Sequence, residues 1–157
     1  MLFRSILFVV HRYAPFPGGS ENYVRDMAEE CLSRGHKVAV FAGEHKGDWN
    51  GIHVTSEQNI LMDKWDLIVV HGGDVHVQDF VLNLAHQIIS PVLFMLIRPS
   101  ESQTYKNGMM YCKYVGCSTI EDWDFVKESG RHYKSVQVRH GIRSEEHTSE
   151  LQSHSFI

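Results

Sequence analysis

Apolar residues along this chain fall into two spacings, and the two spacings take turns. Ile6, Leu7, Phe8, Val9 and Val10 form an unbroken run, short enough for a strand buried on both faces of a parallel sheet. Over residues 22–34 the apolar positions Val24, Met27, Ala28, Cys31 and Leu32 recur at helical intervals, and Gly35 closes the helix. Residues 36–41 return as a second strand, which completes a βαβ unit. A loop at 43–50, carrying Gly47, Asp48 and Asn50, turns into a short strand at 51–55, and residues 67–70 form another buried strand. Val77, Phe80, Val81, Leu84, Ala85 and Ile88 then keep a helical period that Pro91 stops before a strand at 92–97. Residues 110–116 predict a strand, 119–129 a helix ended by Gly130, and 135–138 a last strand. Alternating β and α elements with apolar strands predict an open, doubly wound, mainly parallel α/β sheet, whose ligands gather at the strand C-termini.

Between the first strand and the first helix lies a glycine loop, Pro15, Phe16, Pro17, Gly18 and Gly19, followed by Ser20 and Glu21. Paired glycines before a helix start let backbone N–H groups approach an anion, which the positive end of the helix dipole also favours. Ser20 is placed to cap the helix and Glu21 stands in its first turn. The dinucleotide fingerprint is a poor fit, because it wants three spaced glycines turning tightly off the strand, whereas here residues 11–17 intervene and two glycines follow.

Composition narrows the class. A chain of 157 residues can bury a core of its own, and a formal charge of −4 gives no basic footprint for nucleic acid. Cys31, Cys112 and Cys117 have neither metal nor disulfide spacing, which suits a reducing cytosol. The first apolar run is too short for a signal segment, and nothing reaches the ~20 apolar residues of a membrane span. Arg143 to His154 has no apolar period and matches, residue for residue, the translation of a common sequencing adapter. Residues 1–142 are therefore expected to form the domain and 143–157 an artefactual or disordered tail. Without that tail, which holds one Arg and three Glu, 14 basic and 16 acidic residues leave a charge of −2.

The run from His11 to Glu21, with Leu32, Gly35, His36, Val38 and Val40 behind it, resembles the opening of glycosyltransferase family 4 enzymes, where a "P…GG.E" loop precedes a helix ending in "L…GH.V.V". The likeness resumes at Trp65 to His71, at Val115 to Ser118 and at Val136 to Ile142, so it touches most of residues 5–142. It implies a GT-B fold, two Rossmann-like domains across a cleft, of which this chain would supply the N-terminal, acceptor-side half. The implied activity is transfer of a sugar, with retention, from a nucleotide-sugar donor to a hydroxyl acceptor, a glycan or a lipid-linked group. No cofactor and no metal are implied. The donor-gripping groups belong to the other half, so the fragment is expected to be inactive alone, cytoplasmic, and open to peripheral contact with the inner face of the membrane.

By the same resemblance, Gly18 and Gly19 would approach the donor diphosphate and sugar, and His71 would stand against the donor sugar as the catalytic-side histidine. His11, Arg12, Tyr13 and Glu21 would contact the acceptor. Arg98 stands where many relatives carry a histidine or a small polar residue, and would suit an anionic acceptor such as a lipid phosphate. His71, Asp74 and His76 could be combined as metal ligands, but Asp74 more simply caps the helix beside it. Two alternatives stay open: a free-standing nucleotide- or phosphate-binding module, in which Glu44 would meet a ribose, and a subunit completing a two-chain transferase.

Overall fold

The computed structural model describes residues 4–72, 75–97, 102–130 and 135–138. Seven strands form one sheet: β1 (Ser5–Arg12), β2 (Lys37–Glu44), β3 (His53–Thr55), β4 (Leu67–Gly72), β5 (Val92–Leu96), β6 (Tyr114–Cys117) and β7 (Ser135–Gln137). All neighbouring pairs are parallel, in the order β3-β2-β1-β4-β5-β6-β7. Helix α1 (Gly19–Ser33) joins β1 to β2, α2 (Val75–Leu84) joins β4 to β5, α3 (Gln103–Met109) joins β5 to β6, and α4 (Ile120–Glu128) joins β6 to β7. The winding runs one way from β1 to β3 and the other way from β4 to β7. This is the expected doubly wound, Rossmann-like α/β sheet, with its reversal between β1 and β4.

Strand alternation sorts the core into two layers. Leu7, Val9, Phe41, Ile68, Val70, Val92 and Phe94 point to the face covered by α2, α3 and α4. Phe8, Val10, Val40, Ala42, Val69, Leu93 and Met95 point to the α1 face, where Tyr23, Val24, Met27 and Ala28 pack on them. Both faces are covered, which is why the strands read as continuous apolar runs. Among the described residues no helix is long and apolar enough to cross a membrane.

The structure differs from the sequence reading at four points. Gly18, not Ser20, is the N-cap of α1, so the helix begins at Gly19, directly off the loop. The strand expected over 110–116 is confined to Tyr114–Cys117, because Met110 and Tyr111 form an exposed turn closing α3. Helix α3 itself has no counterpart in the sequence reading. The helical period that ends at Ile88 is also split, with α2 stopping at Leu84 and a 3₁₀ turn, Ala85–Gln87, following it.

Candidate functional site

The reversal between β1 and β4 places their C-terminal ends side by side, with α1 starting above them. Alternation then decides which side chains can meet. Counting by twos from Val10 on the α1 face gives Arg12; from Ala42 it gives Glu44; from Val69 it gives His71. These residues and the first turn of α1 enclose an open cleft of about 400 Å³ lined by Val10, His11, Arg12, Gly19, Ser20, Glu21, Glu44 and His71.

The helix start forms one wall. The first i to i+4 bond of α1 runs from the Asn22 N–H to the Gly18 carbonyl at 2.9 Å, so the N–H groups of Gly19, Ser20 and Glu21 precede the helical ladder. Gly18 has φ +149°, a conformation that side chains rarely adopt, and a Cβ there would collide with the carboxylate of Glu21. Gly19 differs, because nothing lies within 4 Å of where its Cβ would be. One glycine is required by the fold; the other leaves open space on the cleft side.

Glu21 curls back beneath that turn and is 8% exposed. Its Oε1 accepts a hydrogen bond from Arg12 Nε at 3.0 Å, a charge-assisted pair next to the positive end of α1. The Arg12 guanidinium also lies over the Phe16 ring at 5.6 Å, and Lys46 lies over the same ring at 5.5 Å. Phe16 thus ties the loop to the ends of both β1 and β2. Arg12 spends one of its five donors on Glu21, and its side chain stays 40% exposed at the cleft.

On the floor, His71 occupies the next-to-last position of β4, is 4% exposed, and faces the Tyr23 ring of α1 with centroids 5.5 Å apart. Glu44 closes β2 at the register position of Arg12 and is exposed. Its carbonyl accepts the Tyr13 N–H at 3.1 Å, extending the ladder by one bond, while its carboxylate has no hydrogen bond or ion pair among the described residues.

The expected site residues therefore separate. His11, Arg12, Gly19, Glu21 and His71 line one cleft, with Gly18 holding the turn above it. Tyr13 does not reach it: the ring is 0% exposed in the α1-side core, and burial pushes its phenol above the usual range. Its contribution to the cleft is its backbone N–H. Arg98 and Asp74 lie outside the described residues, and no cluster of metal-ligating residues occurs among those described. Burial holds the Cys117 thiol up at about 12. Sequence reasoning passed over Phe16 and Lys46, whose signal is an aromatic residue in a proline loop opposite a basic one after β2.

No protein-family model matches the sequence, and no curated protein matches it either. Among solved structures the chain is similar to Anabaena Alr3699/HepE in complex with UDP-glucose, with a TM-score of 0.61 at 16% identity over 88% of this chain and 44% of that one. The complex of the same protein with UDP and glucose gives a TM-score of 0.61, and the complex with UDP 0.59 at 15% identity. At such identities the likeness is one of fold, and the chain spans less than half the length of the structures it matches.

Proposed function

We propose that this chain is the acceptor-side half of a GT-B glycosyltransferase that moves a sugar, with retained configuration, from a nucleotide-sugar donor to a hydroxyl acceptor. The observation that carries the reading is the cleft itself, at the reversal of a doubly wound sheet, with helix-start N–H groups on one wall and His71 on its floor. Support also comes from the structural neighbour, a chain about twice as long that binds UDP-glucose.

In this reading the N–H groups of Gly19 and Ser20 face the donor diphosphate, where negative charge grows as the sugar leaves. His71 stands against the sugar, Arg12 and Glu44 face the acceptor, and the remaining donor contacts belong to a second domain. Retention requires the acceptor to approach on the face the diphosphate leaves, so positioning and charge stabilisation supply most of the rate. The location proposed is the cytoplasm, at the inner face of the membrane where the acceptor is lipid-linked.

A second reading is favoured by one feature, the carboxylate of Glu44 at the end of β2, where dinucleotide folds hold a ribose. It makes the chain a self-sufficient nucleotide-binding module. Titrating the ¹⁵N-labelled full chain with UDP-glucose tests both. The half-enzyme reading expects millimolar binding that shifts Gly19, Ser20, Glu21 and His71. Micromolar binding at the same residues transfers the conclusion to the module, and saturable shifts that avoid all four overturn both.

A further inference from the structure

Within the proposed reading of the cleft, on which this inference rests, the geometry points to a pH-sensitive latch on the glycine loop: neutral His45 holds Lys46 against Phe16, and protonation of His45 releases it. Phe16 is where the loop is gripped. Its N–H donates to the Tyr13 carbonyl at 3.2 Å, and two residues further on the Gly18 carbonyl accepts the first helical bond of α1. The Arg12 guanidinium reaches the Phe16 ring from the end of β1 at 5.6 Å, and Lys46 Nζ reaches it from beyond the end of β2 at 5.5 Å. Arg12 is also fixed by Glu21. Lys46 is exposed and has no ion pair among the described residues, so its seat on the ring depends on the backbone it stands on.

That backbone is a single turn closed by a side chain. The Gly47 N–H donates to His45 Nδ1 at 2.9 Å, with Gly47 at φ +91° and Lys46 between the two. A ring nitrogen that accepts a bond carries no proton, so this turn needs His45 neutral with its hydrogen on Nε2. A protonated imidazole has two donors and no acceptor, and the Gly47 N–H would then face one of the donors. The charged and titratable groups on the elements around His45 are His11 and Arg12 of β1, Glu44 of β2, Asp48 of the loop and His53 of β3. The Val54 N–H is the main cause that holds the Asp48 carboxyl below the ordinary 3.8, with slight desolvation opposing and the His53 bond assisting, so Asp48 is ionised wherever histidines titrate. His53 responds to acid in the opposite sense to His45. Its Nδ1 lies 3.0 Å from Asp48 Oδ1, and a charged ring donates to a carboxylate better than a neutral one. Acid therefore tightens the far end of the loop while opening the turn that carries Lys46.

The test follows the ¹⁵N-labelled full chain from about pH 8 to about pH 5.5, the range in which histidine changes charge, first alone and then with UDP-glucose. Without ligand, the amides of Phe16, Gly19, Lys46 and Gly47 should move with one shared midpoint. His45→Asn keeps an acceptor for the Gly47 N–H at every pH, as an Asx turn, and should remove that midpoint from Phe16 and Gly19 while His11 and His71 still titrate. With UDP-glucose, the parent chain should bind about two- to fivefold more weakly than His45→Asn at the acid end, the worth of an exposed cation–π contact, and equally well at the alkaline end. Lys46→Met should bind at the weaker level at both ends, and Lys46→Arg should restore the parent's pH profile. A merely structural role would not give a loss confined to acid and cancelled by asparagine. A shared midpoint that survives in His45→Asn, or a Gly47 that titrates without Phe16 and Gly19, overturns the latch. Absence of UDP-glucose binding at every pH removes the donor reading and leaves the ligand-free titration to decide the latch, so the two failures are separable.

Discussion

At the N-terminal ends of its strands the sheet ties polar side chains to neighbouring backbone, strand by strand. The Arg4 N–H donates to His36 Nδ1 at 3.1 Å, joining the starts of β1 and β2. Asp66 Oδ2 accepts from the Ser5 N–H at 2.8 Å and from its hydroxyl at 3.2 Å, and the Ser5 Oγ accepts the Asp66 N–H at 3.0 Å, joining β1 to β4. The Trp65 N–H donates to Ser90 Oγ at 2.7 Å, and the Ser90 hydroxyl donates to the Asp63 carbonyl at 3.1 Å, joining β4 to β5. At the opposite ends of the same strands, Arg12 and Glu44 stand at neighbouring register positions, with the Arg12 Nη groups and the Glu44 carboxylate lacking partners among the described residues. Among the described residues, partners are thus supplied where strands must be held and are missing where the proposed ligand would bind. The fastening groups and the proposed recognition groups stand at opposite edges of one sheet.

If that division holds, substitutions at the two edges should move different observables. Ser90→Ala removes the acceptor from a buried N–H and should cost about 1–3 kcal/mol, read by urea unfolding, with the UDP-glucose shifts unaltered. A change in ligand affinity that matched the stability loss would break the comparison. Asp66 tests the same edge through pH. The Ser5 N–H is the main cause that holds its carboxyl below the ordinary 3.8, with burial opposing and the Ser5 hydroxyl assisting. A depressed acid contributes stability above its unfolded value that is lost as the pH falls through the folded one, so unfolding monitored below about pH 4 should be less steep in Asp66→Asn. Equal slopes would remove Asp66 from the fastening. The smallest stability change is expected at the cleft. Gly19→Ala adds a methyl to open space in the first turn of α1 and should leave stability within about 1 kcal/mol, while the methyl obstructs approach to the helix start. Loss of UDP-glucose shifts without loss of stability would sharpen the contrast; loss of both would erase it.

Most of this fold could be read from the chain because its strands are buried on both faces. Residues 6–10, 67–70 and 92–97 are apolar throughout, and no helical pattern competes with them. Helix α3 could not be read, since Gln103–Met109 is short and contains Gly108. There the glycine is a packing device: a Cβ would meet the Leu82 side chain of α2, with its Cβ at 2.6 Å and its Cγ at 2.9 Å, so tertiary contact overrides a poor helix propensity. Within the site, strand alternation fixed the placement of Arg12, Glu44 and His71 once the ends of the strands were known. The cap of α1 was less legible. Ser20 has the chemistry of a cap, yet Gly18 holds the position because a backbone at φ +149° over the Glu21 carboxylate admits no side chain. Tyr13 was placed less well: its N–H joins the Glu44 carbonyl one residue past β1, and its ring is buried in the α1-side core.

All the residues that line the cleft lie between Val10 and His71, whereas β5 begins at Val92. During synthesis from the N-terminus, every residue lining this cleft therefore leaves the ribosome before the strand that pairs with the far side of β4 has been made. For that interval β4 is an unprotected edge carrying Ile68, Val69 and Val70, a template for pairing with another chain. The period of greatest risk for this protein is thus set by the 20 or so residues that separate the end of β4 from the start of β5, roughly 1–4 s of elongation.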